Sequence, residues 1–260
     1  MIGSGHTLVQ VRAIAGRSVR AVIRQPQLWA PSLIFPLFFT ALSSAAFERT
    51  RGIPGFPEVS SFVAFLLAAT IVQGVMFGST SPGTDAALDI ESGFFDRLIA
   101  SPVARIALVA GRLTGTMALA AGQCLVFVVV LLPFGATMAA GWVGLAVTVA
   151  IAALFGGAVG GFSLAVGIRT GSVEAVNGFF PIFFALVFLS SAFFPPNISG
   201  GWFETVAGLN PLSYMIDGMR TLHVQGWDAG AASGSLAVAG GLLAGFVALS
   251  LLSLRARLRS

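Results

Sequence analysis

The sequence predicts an all-α integral membrane protein with six transmembrane helices. Of its 260 residues, 56% are hydrophobic and only 9% are charged, whereas a soluble domain has about 25% charged residues. So little polar material cannot cover the surface of a soluble protein. Six segments are apolar over the roughly 20 residues that a helix needs to cross a bilayer. The alternating ten-residue segments of a transmembrane barrel do not occur in the sequence.

Helices are the structure expected for these segments, because each helix satisfies its own backbone hydrogen bonds in lipid. The fourth segment contains GGAVGG, with small residues four apart at Gly156/Gly160 and Gly157/Gly161. Such pairs permit close helix packing. We predict packing within the subunit, with a contact between two subunits as the alternative. The predicted spans are residues 28–47, 59–80, 113–134, 142–168, 176–194 and 236–254.

The arginines predict the orientation of these spans. All 14 basic residues are arginine, and eleven of them fall before the first span, between the second and third, between the fourth and fifth, or after the sixth. Only Arg49, Arg51 and Arg220 fall on the other side. Since arginine-rich loops remain in the cytoplasm, both termini are predicted to be cytoplasmic. The net charge of +4 is therefore a topology signal and does not indicate nucleic-acid binding.

Residues 1–27 are predicted to form an amphipathic helix on the inner leaflet of the membrane. A solvated basic tail is the alternative, and cleavage of the first apolar segment as a signal peptide is a weaker one. On a helical wheel, one face carries Leu8, Val11, Ala15, Val19 and Val22, and the opposite face carries Arg17, Arg20 and Arg24.

Residues 84–101 interrupt the apolar sequence and predict a short amphipathic helix. At 100° per residue, its acidic face lies opposite an apolar face. Gly93 is expected to bend this helix, and Ser101-Pro102 is expected to end it. A solvated loop helix is the alternative to a docking surface. The acidic face comprises Asp85, Asp89, Ser92 and Asp96, and the apolar face comprises Ala87, Ile90, Phe94 and Leu98.

The stretch IESGFFDRLIASPVARIALVAGRL, from Ile90 to Leu113, resembles the cytoplasmic signature of permeases of the second type of ABC exporter. Those permeases have an acidic residue, a glycine, Ser-Pro-Val, an arginine and Gly-Arg-Leu in this order. A second resemblance is NPLSYMIDGMRTL, from Asn210 to Leu222. Together the two motifs make the whole chain, residues 1–260, similar to one permease domain. The SGFFDRL motif is most similar to that of the daunorubicin-resistance branch of these permeases.

The resemblance implies that residues 84–101 are a coupling helix resting on a separate ATP-binding subunit. It further implies two copies of that subunit, a second permease that forms a homodimer with the first, and a bacterial inner membrane. ATP and magnesium would be bound by the partner, with no cofactor in this chain. The residues expected at the contact are Asp85, Asp89, Glu91, Gly93, Phe94, Phe95, Asp96, Arg97, Ser101, Pro102 and Arg105.

The residue types exclude several ways in which the chain could act alone. A phosphate-binding loop of the G-x-x-x-x-G-K-[ST] type needs a lysine, and the sequence has none. Carriers driven by ions place ionisable groups inside their spans, and the predicted spans contain none. Gln73, Gln123 and Asn177 are polar exceptions, expected to form interhelical hydrogen bonds. A carrier without an ATPase and an intramembrane enzyme remain as alternatives.

Residues 199–222 are predicted to form two short helices broken at Asn210-Pro211. The resemblance implies a re-entrant hairpin that enters the outer leaflet and gates the exit, and a surface loop is the alternative. Asp217 and Arg220 are three residues apart and are expected to form an ion pair. The residues assigned to this gate are Asn210, Pro211, Tyr214, Asp217 and Arg220.

Phenylalanine is abundant, with 23 residues against one tyrosine. The residues alone leave lipid contact and a substrate route equally open. The resemblance favours a route between two permeases, which suits a hydrophobic or amphipathic drug or lipid. A polysaccharide or lipid-linked glycan is the alternative cargo. The predicted pathway residues are Phe35, Phe38, Phe39, Asn177, Phe179, Phe180, Phe183, Phe184 and Phe188.

Overall fold

The computed structural model describes residues 26–100 and 105–258. The predicted interfacial helix therefore lies almost entirely outside the described residues, as do Ser101 and Pro102. The side chains of Asp96 and Arg105 also lie outside the described part.

The described residues fold into twelve α-helices with no strand among them. Two short 3-10 helices, Glu48–Gly52 and Leu132–Phe134, extend the ends of α1 and α5. In chain order the helices are α1 (Pro26–Phe47), α2 (Phe62–Gly78), α3 (Ser81–Glu91), α4 (Phe94–Ala100), α5 (Arg105–Leu131), α6 (Gly141–Thr170), α7 (Val173–Gly178), α8 (Phe180–Phe188), α9 (Pro196–Ser199), α10 (Gly201–Leu209), α11 (Pro211–Val224) and α12 (Ala229–Arg257).

Five stretches of the described residues are long and apolar enough to cross a membrane. They correspond to the first, second, third, fourth and sixth predicted spans. The third begins earlier than predicted because α5 already starts at Arg105. The five stretches are Ala30–Gly52, Phe62–Glu91, Ile106–Phe134, Gly141–Thr170 and Ala229–Arg257.

The fifth predicted span is not a single long helix. It consists of α7 and α8, which together run only from Val173 to Phe188, followed by turns up to Phe194. The break falls at Phe179, between Gly178 and a helix whose first turn contains Pro181. Glycine weakens helices, and proline lacks the N–H that an internal helical residue donates. The prediction of a continuous helix over residues 176–194 was therefore wrong.

Helix α6 is the central element of the packing, since α12, α5 and α3 all lie against it. The GGAVGG glycines make these contacts within the chain, as predicted. A Cβ atom on Gly156 would lie 2.5 Å from the Cβ of Ala120 on α5, and one on Gly161 would lie 3.3 Å from Phe246 on α12. Small residues on α6 therefore let two neighbouring helices approach on different faces.

A second, smaller core closes one end of the bundle. Arg257, near the end of α12, donates to the carbonyl of Ile168 on α6 at 3.2 Å. The end of α12, the α6–α7 turn and helices α3 and α4 thus lie at the same end. Their shared apolar core comprises Ala86, Phe95, Val109, Leu113, Leu164, Ile168 and Leu254.

Candidate coupling surface and aromatic groove

Residues 81–100, here called the acidic segment, are held directly against the backbone of α6. A Cβ atom on Gly83 would lie 2.2 Å from the carbonyl oxygen of Ser163, and one on Gly167 would lie 2.2 Å from the carbonyl oxygen of Gly83. Real Cβ atoms do not approach other atoms so closely, so both positions require glycine. Pro82 lies in the first turn of α3, where its missing N–H has no cost. The segment is fixed to the bundle by its first turn.

Gly93 divides the acidic segment into α3 and α4. Its φ angle is +69°, a conformation that favours glycine. The bend predicted at Gly93 is confirmed, but it also changes which phenylalanine is buried. Phe94 was expected on the apolar face, yet it is 40% exposed, while Phe95 is 3% exposed. A continuous helical wheel through residues 84–101 was wrong because the helix does not continue through Gly93.

The acidic segment carries exposed charged side chains, and one of its carboxylates fastens it to α5. Asp85 and Glu91 are exposed, as is Arg97 on α4. Asp89 is only partly exposed and forms an ion pair with Arg112 of α5. Asp89 therefore fastens the acidic segment to α5.

Glu174 adds a carboxylate that the predicted contact set did not include. It lies in the first turn of α7, which packs against α3, and its side chain is exposed. The hydroxyl of Ser172 donates to this carboxylate at 2.7 Å, and this hydrogen bond lowers the pKa of Glu174 below its ordinary value. The surface at this end consequently extends beyond the acidic segment. The i, i+2 spacing of Ser172 and Glu174 is the only sequence signal for it.

An aromatic groove lies between α1, α2 and α8. The Phe35 ring is 5.4 Å from that of Phe77 and 6.5 Å from that of Phe184, measured between centroids. Phe180 lies 4.8 Å from Phe77. The groove has a volume of about 530 Å³, within the usual size range of small-molecule sites. Its lining residues are Pro31, Ser32, Phe35, Phe77, Phe180, Pro181 and Phe184.

The predicted pathway phenylalanines do not form one surface. Phe39 and Phe188 extend the groove cluster towards Phe193, with ring centroids 5.0 and 4.8 Å from it. Phe183 instead packs edge-on against Phe162 of α6, as does Phe179. Phe38 and Asn177 are exposed away from these ring contacts. Sequence spacing missed Phe77, whose ring is central to the groove.

Arg220 is the centre of a polar network at the end of the bundle opposite the acidic segment. Its side chain is buried and pairs with Asp217 at 2.6 Å, which confirms the predicted ion pair. It also donates to the carbonyl of Phe65 at 3.2 Å and to that of Ser191 at 2.8 Å. The guanidinium carbon lies 3.9 Å from the centroid of the Phe65 ring, a cation–π distance. Arg220 thus joins α11 to α2 and to the turn after α8.

Asn210, just before α11, also joins α11 to the end of α8. Its Nδ2 donates to the carbonyls of Leu186 and Leu189 at 2.7 and 3.0 Å. Its Oδ1 accepts from the N–H of Leu212 at 2.9 Å and caps α11. Pro211 follows in the first turn of α11, and Tyr214 is exposed. The predicted break at Asn210-Pro211 is confirmed, and it anchors the end of α8.

Within the spans, the glutamines differ in their hydrogen bonding. The Nε2 of Gln123 donates to the Oγ of Ser32 at 2.5 Å, which confirms the expected interhelical bond. The Nε2 of Gln73 is buried and has no hydrogen-bond partner in the described part of the chain. Among residues 26–100 and 105–258, no group of three His, Cys, Asp or Glu side chains is placed to hold a metal ion.

Comparison with known proteins places these features in a family. Residues 9–223 match the family described as ABC-2 type transporter. The chain belongs to this family. It is also 31% identical over 225 residues to the daunorubicin resistance ABC transporter permease protein DrrB1 of Streptomyces coeruleorubidus, covering 84% of this chain and 75% of that protein.

Further relatives come from other organisms. Two proteins named ycf38, whose names describe them as transport permeases, are 28% identical in Pyropia yezoensis and 26% identical in Porphyra purpurea. The matches cover 84% and 85% of this chain, and 75% and 76% of the relatives. The ABC-2 family and the five apolar stretches together identify a multi-pass membrane protein whose relatives are permeases. The resemblance seen in the SGFFDRL and NPLSYMIDGMRTL motifs is confirmed.

Proposed function

We propose that this ABC-2 permease is the transmembrane subunit of an exporter that moves a hydrophobic or amphipathic drug or lipid out of the cell. ATP hydrolysis on a separate subunit drives the movement, and that subunit holds the ATP and magnesium. The complex contains two ATP-binding subunits and two copies of the permease in the bacterial inner membrane. The proposal rests chiefly on the acidic segment, whose exposed carboxylates stand at the end where the arginine-rich loops gather.

The geometry of the acidic segment suits the transmission of force. It is joined to α2 by only Ser79 and Thr80, pinned to α6 by Gly83 and paired to α5 through Asp89. A push on its exposed face therefore reaches three helices of the bundle. Asp85, Glu91 and Glu174 supply negative charge for a basic groove on the ATP-binding subunit.

The aromatic groove supports the cargo class. Its walls carry rings and prolines, and Ser32 is the one polar residue among the described residues that line it. Such a surface binds by burial of apolar area and by ring stacking. A long hydrated glycan would gain little from these walls, so a drug or lipid suits them better.

In the proposed arrangement, the chain crosses the membrane six times. Residues 176–194, which comprise the end of α7, all of α8 and the turns that follow, make the fifth crossing, and α10 and α11 form a re-entrant hairpin in the outer leaflet. Arg220 and Asn210 hold that hairpin to the end of α8. Both termini are then cytoplasmic, as the arginine distribution predicts.

The test of coupling is reversal of an exposed charge on the acidic segment. We expect Glu91→Arg to insert normally but to lose most copurification with the ATP-binding subunit and most export, because the new charge repels a basic partner surface. Glu204→Arg is the matched control, since Glu204 is also exposed but lies on α10 at the opposite end. Equal export by the Glu91→Arg variant and the wild type would contradict the coupling proposal.

A further inference from the structure

Arg257, in the last turn of α12, lies where three other segments of the bundle meet. Its Nη1 donates to the carbonyl of Ile168 on α6 at 3.2 Å. The same atom lies 3.9 Å from the position that a Cβ atom on Gly171 would take, in the α6–α7 turn. The guanidinium carbon lies 6.0 Å from the centroid of the Phe95 ring on α4, which is the limit of a cation–π contact. One side chain of α12 thus borders α6, the α6–α7 turn and α4.

The carbonyl of Ile168 needs a donor from outside its own helix. Helix α6 ends at Thr170, and the last four carbonyls of a helix have no intrahelical partner. The N–H of Ser172, which would reach Ile168 if the helix continued, donates instead to the hydroxyl of Thr170 at 3.3 Å. A cation near a helix C-terminus also interacts favourably with the helix dipole. Arg257 is therefore a cap that α12 supplies to α6.

Helix α4 is attached to the bundle differently from α3. Gly83 and Asp89 fix α3 to α6 and α5, but the bend at Gly93 separates α4 from these anchors. The attachment of α4 is Phe95, which is 3% exposed and lies in the smaller core with Leu254 of α12. The last turn of α12 therefore borders the point at which α4 is held.

Other side chains of α4 are exposed. Phe94 is 40% exposed, and Arg97 is exposed as well. In a helix, the direction of one side chain determines the directions of its neighbours. The burial of Phe95 therefore sets the direction in which Phe94 and Arg97 are presented.

We propose that Arg257 is a positioning residue for the contact with the ATP-binding subunit. By covering the ring of Phe95 and capping Ile168, it fixes the angle of α4, so that Phe94 and Arg97 face that subunit. This inference rests on the proposed function, and it adds the end of α12 to the elements that support the coupling surface.

The first measurement uses the purified permease in nanodiscs, without the ATP-binding subunit. A nitroxide label is attached to the Phe94→Cys variant, on α4, or to the Leu88→Cys variant, on α3, each in a Cys124→Ser background. Both native side chains are exposed. We expect Arg257→Met to increase the mobility of the label on α4 and to leave that of the label on α3 unchanged, because the anchors of α3 remain.

Two further variants serve as controls. Arg257→Lys should keep the label on α4 as immobile as in the wild type, since an ammonium can also donate to a carbonyl and lie over a ring. Arg255→Met is the matched control, because Arg255 lies in the same turn of α12 but is exposed. It should change neither label.

The second measurement is the binding of the ATP-binding subunit that copurifies with the wild type. We expect Arg257→Met to weaken this binding about tenfold, which corresponds to one hydrogen bond from a charged group, and Arg257→Lys to restore most of it. The maximal rate of ATP hydrolysis at saturating subunit should not change, because Arg257 acts on docking. A general loss of folding would lower both the affinity and the maximal rate.

Three results would overturn the inference. One is equal mobility of the α4 label in Arg257→Met and the wild type, another is an equal increase at both labels, and the last is unchanged affinity despite a mobile α4 label. No binding of an ATP-binding subunit to the wild type would contradict the proposed function itself. Since the labels are read without that subunit, the two failures can be told apart.

Discussion

Arg220 shows how one residue organises a region that lacks a continuous span. Its guanidinium meets a carboxylate, backbone carbonyls and an aromatic face at once. Arginine suits this site because its planar group offers five donors in a fixed geometry. The carbonyl of Ser191 lies in the turn that follows α8, and Arg220 donates to it there.

We expect Arg220→Met to destabilise the protein by about 3 kcal/mol, because the buried guanidinium loses its hydrogen bonds to Asp217 and to the carbonyls of Phe65 and Ser191. Arg220→Lys should recover only part of this loss, because an ammonium cannot reach all of these acceptors. Melting in detergent can be followed with a thiol-reactive fluorogenic dye. The sole cysteine, Cys124, is buried and becomes labelled only on unfolding.

Asp217→Asn is the control for this prediction, because the Asp217 side chain is half exposed. The loss of stability in Asp217→Asn should be smaller than the loss in Arg220→Met. A melting temperature of Arg220→Met equal to that of the wild type would contradict the role assigned to the network.

At the scale of elements, the contact between α3 and α6 depends on two glycines. We expect Gly83→Ala and Gly167→Ala each to destabilise the protein by about 1–3 kcal/mol, the usual cost of overpacking. Each added methyl group would meet backbone atoms, which cannot move aside as a flexible side chain can. The same Cys124 labelling melt measures the effect.

Gly122→Ala is the matched control for these variants. Gly122 also lies in a helix, but a Cβ atom there would meet nothing within 4 Å. Alanine favours helix over glycine by about 1 kcal/mol. A similar loss in Gly122→Ala and Gly83→Ala would show that the close approach of α3 and α6 does not matter.

The elements also show which parts of the structure a sequence can predict. Hydropathy located five spans because length and apolarity decide them. It failed at residues 176–194 because a Phe-rich stretch remains apolar whether or not its backbone is broken at Phe179. The helical wheel failed at Phe94 for a related reason, since a wheel assumes a continuous axis.

The candidate sites also contain some features that the sequence predicts and others that it does not. The Asp217–Arg220 pair and the exposed charges of the acidic segment follow from local spacing. The bond from Arg220 to Phe65 joins residues 155 apart in sequence, and no periodicity reveals it. Phe77 was missed because the partners that give its ring a role lie on α1 and α8.

At the scale of the whole molecule, the packing brings together at one end the described segments that the arginine distribution assigns to the cytoplasm. The acidic segment, the α6–α7 turn and the end of α12 meet there, while Arg220 and α10 lie at the other. We expect Trp202→Cys, in a Cys124→Ser background, to react with a membrane-impermeant maleimide in intact cells. Arg97→Cys should react only after permeabilisation, because the predicted topology places it in the cytoplasm.

Both substituted positions have exposed side chains, so the comparison of intact with permeabilised cells reports the side of the membrane on which each of them lies. A cysteine-free Cys124→Ser protein gives the background. Labelling of Arg97→Cys in intact cells, with Trp202→Cys protected, would reverse the proposed orientation.

The glycine contact between α3 and α6 has a mechanical consequence. Side chains between helices act as a soft layer, because rotamers can adjust before backbones move. At Gly83 and Gly167 that layer is missing, and main chain rests on main chain. A small displacement of the acidic segment is therefore passed to α6 with little slack. Helix α6 has 30 residues and is therefore about 45 Å long. Because the helix is rigid, a small tilt at this end would move its far end by a larger distance.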